Sequence, residues 1–248
     1  MRNGTEVSVY SLIFAIESEK LGDPHSVLVG EERFVSRRIR HKVERAVWDD
    51  LNQQGLASGN RLDDEFRDAL ATIQRAGTEY YGWITGEEGS YGLLVAALGR
   101  DAFAMVRTGN SAQIWRVRPE YIVDEVIARL PEVPSGRGKS ISVLAADYTP
   151  ASGSGPTYLS GGTSARHPEA RRLDAFLQEP RLGGGKLYAA TRDHTGRRQR
   201  SASWVTFLDF PHGRWLTYRT EGAEPSINAV PGTPQVLAKK LVELSQHN

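Results

Sequence analysis

Apolar residues fall on a helical stripe from about Val7 to Lys20, where Val9, Leu12, Ile13 and Ile16 share one face. Gly22, Asp23 and Pro24 stop it, and SVLV at 26–29 reads as a short strand. A longer helix is predicted over 31–53, because Val35, Ile39, Val43, Val47 and Leu51 recur every four residues, joined by Trp48. Glu31 and Glu32 favour its N-terminal dipole and Gly55 ends it. A third helix covers 62–77, with Leu62, Phe66, Ala69, Leu70 and Ile73 inward.

The pattern then changes period. EYYGWIT (79–85), YGLLVAAL (91–98), AFAMVRT (102–108) and AQIWRV (112–117) read as strands. The glycine turns between them are short enough to impose antiparallel pairing. PEYIVDEVIARL opens a helix with Pro119 at a favoured first position. The second half repeats this order: a helix over 167–178, then strands at 186–192, 200–210 and 214–220, with a short one at 226–230. A last helix starts at Thr233 as N-cap with Pro234 behind it. AFAMVRTGNS and LYAATRDHTG are alike at their hairpins.

Helix, three or four antiparallel strands, helix, twice over, predicts an α+β protein with a central antiparallel sheet, helices at its ends and a pseudo-twofold repeat. The chain is expected to be a single domain over 1–248, its first half 1–146 and its second half 167–248. A Gly-, Ser-, Thr- and Pro-rich linker, 147–166, lies between them and cannot bury enough to order itself.

Composition narrows the partners. Hydrophobic residues make up 39% of the 248 and charged residues 25%, enough for a core in a soluble protein. Lys plus Arg is 31 against 30 Asp plus Glu, so no global field draws the chain to nucleic acid or anionic lipid. The absence of cysteine excludes disulfides, Cys-bound zinc and a Cys nucleophile, and fits a reducing compartment. The apolar run Val9 to Ile16 is too short and too closely flanked by Glu6, Glu17 and Glu19 for a signal peptide. The expected location is the cytoplasm.

Candidate chemistry is sparse. PSGRGKS (134–140) ends like a phosphate-binding loop, but the first glycine of that motif is replaced by Val133 and ISVLAADY continues as a strand rather than a helix. It reads as a flexible connector. No GxSxG elbow occurs, since Ser90-Tyr91-Gly92 after Gly89 lacks the first glycine. His25, His41, His167, His194, His212 and His247 show no metal-binding spacing. The paired acids Glu31-Glu32, Asp49-Asp50, Asp63-Asp64 and Glu87-Glu88 do not face one another on a helix and read as caps or solvated charge. No enzyme, metal or cofactor is implied. Two basic runs remain: Arg37 to Lys42 on the long helix, and Arg192 to Arg200, which places four arginines in a hairpin before Trp204 and Phe207. Cations and aromatics on a sheet can clamp single-stranded nucleic acid. Alternation on a half-buried strand accounts for them equally, with aromatics inward and arginines outward.

Several stretches in order carry a resemblance. They are VSVYSLIFAIESEKLG, the Gly30-Glu31-Glu32-Arg33 entry to the long helix, DDLNQQGLASGNRLDDEFRDALATI, VPSGRGKSISV, and RLGGGKLYAATRDHTGRRQR before a Trp strand. Over about residues 9–246 the chain resembles the EspG family of ESX (type VII) secretion-associated chaperones, departing from its usual pattern at Glu31-Glu32 and Ala15-Ile16-Glu17. The resemblance implies a central antiparallel sheet flanked by two helical bundles with quasi-twofold symmetry. It also implies a cytosolic chaperone that binds a PE/PPE-type secretion substrate, covers an apolar tip of its helical bundle and keeps it soluble. In that picture PSGRGKS joins the two halves. The family grips its client with the sheet and the C-terminal bundle, but no short motif transfers contacts residue by residue. On physical grounds an escort needs an apolar groove with a polar rim. Trp204, Phe207, Phe210 and Trp215 on strands and Val236, Leu237, Leu241 and Leu244 on the last helix are the candidates. Core packing explains each singly, and whether two copies act together stays open. The alternative function is a nucleic-acid-binding module built on the 192–200 hairpin.

Overall fold

Ser8 ends one element and starts the next. The computed structural model describes residues 4–29, 37–148 and 167–246, and for 37–43 the backbone alone. The chain enters as a strand, β1 (Thr5–Ser8), and turns directly into α1 (Val9–Ser18), whose first turn is capped by the Ser8 hydroxyl accepting the Ser11 N–H at 2.9 Å. The single helix expected from Val7 is therefore strand first. SVLV at 26–29 is a turn, not a strand: the Leu28 N–H donates to the His25 carbonyl at 2.8 Å.

Next come α2 (Arg37–Gln53), the hairpin β2 (Ala57–Ser58) and β3 (Arg61–Leu62), and α3 (Asp64–Arg75). Asp63 caps α3 by accepting the Glu65 and Phe66 N–H groups. The predicted start of the long helix and its Gly30–Arg33 entry lie outside the described residues, as do the side chains of the Arg37–Lys42 run. The four predicted strands are β4 (Thr78–Gly86), β5 (Gly89–Leu98), β6 (Asp101–Thr108) and β7 (Ser111–Val117). After one 3-10 turn at Pro119–Tyr121 comes α4 (Ile122–Ala128), then β8 (Ile141–Leu144).

The second half holds α5 (Pro168–Leu177), β9 (Gly183–Arg192), β10 (Arg198–Arg200), β11 (Val205–Phe210), β12 (Gly213–Thr220), β13 (Ser226–Pro231) and α6 (Pro234–Gln246). Two predictions change here. Glycines 183–185 are strand rather than breaker, because a Cβ on Gly185 would meet the Phe207 ring at 2.7 Å and one on Gly184 the Phe207 carbonyl at 2.7 Å. The strand expected over 200–210 is two pieces, split at Ser201–Trp204.

The fold is α+β. Eleven strands form one antiparallel sheet in the order β1-β7-β6-β5-β4-β9-β11-β12-β13-β8, with β10 also on β9. The middle is the β4–β9 pair, in register from Thr78↔Thr191 to Thr85↔Gly184. On one face, α1, α2 and α3 bury Leu12, Ile16, Leu51, Phe66 and Ile73 against Tyr81, Leu94, Phe103 and Ile114. Residues directly opposite across antiparallel strands share a face. Leu208 stands opposite Gly184, which stands opposite Thr85, so Leu208 faces the same way as Tyr81. Around Leu208, α5 packs Leu173 and Phe176 on Phe210, Trp215 and Ile141 at the other end of that face. The opposite face carries α4 and α6, with Val126, Leu237 and Leu241 on Tyr80, Ile84, Phe207 and Leu216.

PSGRGKS is not a loose connector at its start. The Arg214 N–H donates to the Pro134 carbonyl and the Gly136 N–H to the Arg214 carbonyl, both at 2.7 Å, so this stretch is laced to β12. Gly136 is buried, and a Cβ there would lie 2.1 Å from the Trp215 Nε1. The expected linker lies from 149 onward outside the described residues.

A buried ion pair ties the same corner together. Arg214 donates from Nε to Asp209 Oδ1 at 2.7 Å and from Nη2 to Asp209 Oδ2 and the Pro131 carbonyl, both at 2.8 Å. Removing one partner of such a pair leaves an uncompensated buried charge. Asp209→Ala should therefore cost about 3–5 kcal/mol in urea unfolding. A loss under about 1 kcal/mol would mean that water reaches Arg214.

Candidate binding surface

Between α1–α3 at one end and α5 at the other, no described helix crosses this face of the sheet; α4 and α6 lie on the opposite face. This bare strip is built by strand alternation. On β4, Trp83 stands on it and the buried Tyr81, on the same side, borders it at the α1–α3 core, while Tyr80 and Ile84 point to α4 and α6. On β9, Lys186 and Tyr188 take the side of Trp83 and Tyr81. Two cross-strand rows result: Trp83 beside Lys186 beside Thr206, and Tyr81 beside Tyr188, with Trp204 beyond.

Trp204 owes its position to the break between β10 and β11. Ser201 still pairs through its N–H with the Ala189 carbonyl at 2.9 Å, but its hydroxyl, not a backbone carbonyl, accepts the Ala189 N–H at 3.3 Å. That hydroxyl donates to the Ser203 carbonyl at 2.8 Å, turning the chain out of the ladder. Trp204 is left 42% exposed and Trp83 45%.

The rings pack on one another. Tyr81 stacks on Tyr188 with centroids 5.4 Å apart, Trp83 meets both edge-on, and Trp204 tilts against Tyr188 at 6.1 Å. Cations lie over these rings: Lys186 Nζ is 5.4 Å from the Trp204 centroid, Arg198 Cζ 5.2 Å from that of Tyr81 and Arg200 Cζ 5.5 Å from that of Tyr188. Each exposed contact of this kind is worth about 0.5–1 kcal/mol.

Beside the strip, on the same face one row beyond Tyr81, lies a buried carboxylate, Glu79, 2% exposed. Arg198 Nε donates to its Oε1 at 2.8 Å and His25 Nε2 lies 3.2 Å from the same oxygen. Since His25 Nδ1 accepts the Val27 N–H at 3.2 Å, Nε2 is the donor to Glu79. His25 also meets Tyr81 edge-on at 4.9 Å. Burial pushes the Glu79 carboxyl up, but the hydrogen bond from His25 and the charge and hydrogen bonds of the Arg198 guanidinium outweigh it and hold it below its ordinary value of 4.5.

The residues singled out from sequence scatter. Trp204 is on the bare strip. Phe207 of the sheet and Leu237 and Leu241 of α6 meet in the core on the α4–α6 face, with Val236 and Leu244 half-buried against them. Phe210 and Trp215 pack on Phe176 under α5. They do not form one groove. Arginines and aromatics of the 192–200 hairpin do not take opposite sides either, since Arg198 and Arg200 share a face with Tyr81, Tyr188 and Trp204. Arg192 turns inward, donating to the Gly196 and Gln74 carbonyls at 2.8 and 2.6 Å. Sequence reasoning missed Tyr81, Trp83, Lys186 and Tyr188. EYYGWIT does put Tyr81 and Trp83 on one side, but nothing local tells that this side stays uncovered.

A second concavity of about 780 Å³ opens at the β4–β5 hairpin, walled by Tyr91, Trp115, Leu130, Pro131 and Phe210. Its aromatic polar atoms are already engaged: the Tyr91 hydroxyl donates to the Arg129 carbonyl and Trp115 Nε1 to Glu125. Among the described residues no three His, Cys, Asp or Glu side chains converge as metal ligands, and no helix is long and apolar enough to cross a membrane.

The EspG family model matches residues 8–243. Among solved structures, the chain is similar to the Mycobacterium tuberculosis type VII secretion system chaperone EspG5, determined in complex with a PE25-PPE41 dimer. The TM-score is 0.67 at 13% identity, covering 98% of this chain and 96% of that one, a likeness of fold. No curated protein sequence matches.

Because the Glu79 pKa is lowered in the folded protein, its stabilisation is fully present above the unfolded value and is lost as pH falls through the folded one. Glu79→Gln should cost about 1–3 kcal/mol at pH 7 and flatten the fall in stability below about pH 4.5. Urea titrations of both proteins from pH 7 to 3 check this, and parallel curves would exclude Glu79 as the acid-sensitive group.

Proposed function

The chain belongs to the EspG family, and from that membership we propose that it is a type VII secretion chaperone that holds a PE/PPE-type client soluble in the cytoplasm until export. The structural neighbour solved with a PE25-PPE41 dimer supports the class of client. The observation within this chain that carries the reading is the bare strip with Trp83 and Trp204 at its surface.

Exposed tryptophans on a rigid sheet suit an escort. A large aromatic side chain brings apolar area with little entropy to lose, and such anchors dominate the energy of many interfaces. A client whose apolar tip would otherwise aggregate is kept soluble by covering that tip. Holding and releasing requires no nucleophile and no metal, so the proposed activity is binding alone. The strip also accounts for the second reading, because aromatics beside cations on an open sheet suit a single nucleic-acid strand. Two of its four hairpin arginines argue against that reading: Arg198 is neutralised by Glu79 and Arg192 points inward.

The test is co-expression with PE/PPE-type proteins of the same genome, followed by size exclusion. A client insoluble alone should elute with the wild-type chain as one soluble complex. The double variant Trp83→Ala/Trp204→Ala should lose about 2–4 kcal/mol of binding while keeping its thermal unfolding temperature. Failure of every such client to be solubilised would end the chaperone reading. A shift of oligonucleotides that weakens steeply with salt would put nucleic acid in its place.

A further inference from the structure

We propose that Lys186 and Arg200 make the strip selective for a client tip that carries carboxylates on both sides of its apolar anchor, an inference that rests on the chaperone reading above. The arrangement along β9 carries it. Lys186 shares its row with Trp83, the next row in that direction holds Tyr81, Tyr188 and Trp204, and Arg200 stands opposite Ala190, one row further. An aromatic centre is thus flanked by one cation at each end, separated by four residues of strand, about 13 Å.

Glu79 lies in the same cross-strand row as Ala190 and Arg200, but it is already taken up by Arg198 and His25. Among the described residues Lys186 and Arg200 have no carboxylate partner; each lies instead against an aromatic ring. A cation on a ring face keeps its charge and its outward donors. A wholly apolar tip seated on Trp83 and Trp204 would strip water from both cations and return nothing, which is unfavourable. A carboxylate at each end of the tip would restore the lost hydrogen bonds as charge-assisted ones. Discrimination between clients then comes as much from this penalty as from the attraction. A phosphate backbone would also satisfy the two cations, and so would a second copy of this chain presenting acids; both are outcomes of the test.

The experiment uses the full chain and the client captured by co-expression, with affinity measured by calorimetry and assembly by light scattering. Both cations are exposed, and thermal unfolding of each variant confirms the fold. Lys186→Glu/Arg200→Glu is expected to weaken client binding about 100-fold and Lys186→Gln/Arg200→Gln about tenfold. Reversing the acids of the client tip to lysine should recover most of the loss in the Glu variant. If Trp83→Ala/Trp204→Ala abolishes binding while the Glu variant binds as wild type does, the charge selectivity is wrong and the chaperone reading stands. If no client binds and the wild type retains oligonucleotides at low salt, both are wrong. Loss of a homodimer in the Glu variant with client affinity unchanged would assign the strip to a second copy and overturn the proposal.

Discussion

The antiparallel pairing of β4 with β9 is the constraint on which the rest depends. It joins strands from the two halves of the chain into one sheet and sets the register of everything outward of it: β5, β6, β7 and β1 on one side, β11, β12, β13 and β8 on the other. A slip of one residue there would turn Tyr81 and Trp83 to the α4–α6 side and bring Tyr80 and Ile84 out. The glycines of β9 let the neighbouring strands approach without clash, so the pairing stays close where side chains would hold it open.

This seam also explains why a surface remains free. Each group of helices is tethered near the strands it follows or precedes in sequence, so α1–α3 cover one end of the face and α5 the other. What lies between belongs to the joint. There the sheet shows rings and cations rather than polar residues alone, and the proposed client binding rests on that surface.

The strip is held at its edge. Glu79 draws together the turn at His25, strand β4 and the β10 hairpin through three side chains from distant parts of the chain. Its buried charge is tolerable because both partners donate to it, and it fixes Arg198 over Tyr81. Asp209 and Arg214 do the same at the far corner, where Gly213 (φ 116°) lets the chain turn so close to Gly136 that a Cβ would lie 2.8 Å from it.

By itself the sequence determined most of the elements and, inside a regular strand or helix, which residues share a side. Period and turn chemistry located the strands from EYYGWIT to AQIWRV and the Thr233 cap, and the alternation of a strand, once its place is known, fixes Tyr81 with Trp83 and Lys186 with Tyr188 as same-side neighbours. These are local properties, written within a few residues of one another. Whether a given side meets a helix or stays open was decided only in the tertiary structure. Phe207 and Leu237 read as a groove from sequence and are core because α6 returns across the sheet and sets its Leu237 down on the Phe207 side, whereas Trp204 is surface because a serine hydroxyl lifts it from the ladder. The same apolar residue serves packing or binding according to what arrives from far along the chain, and that arrival leaves no periodic trace.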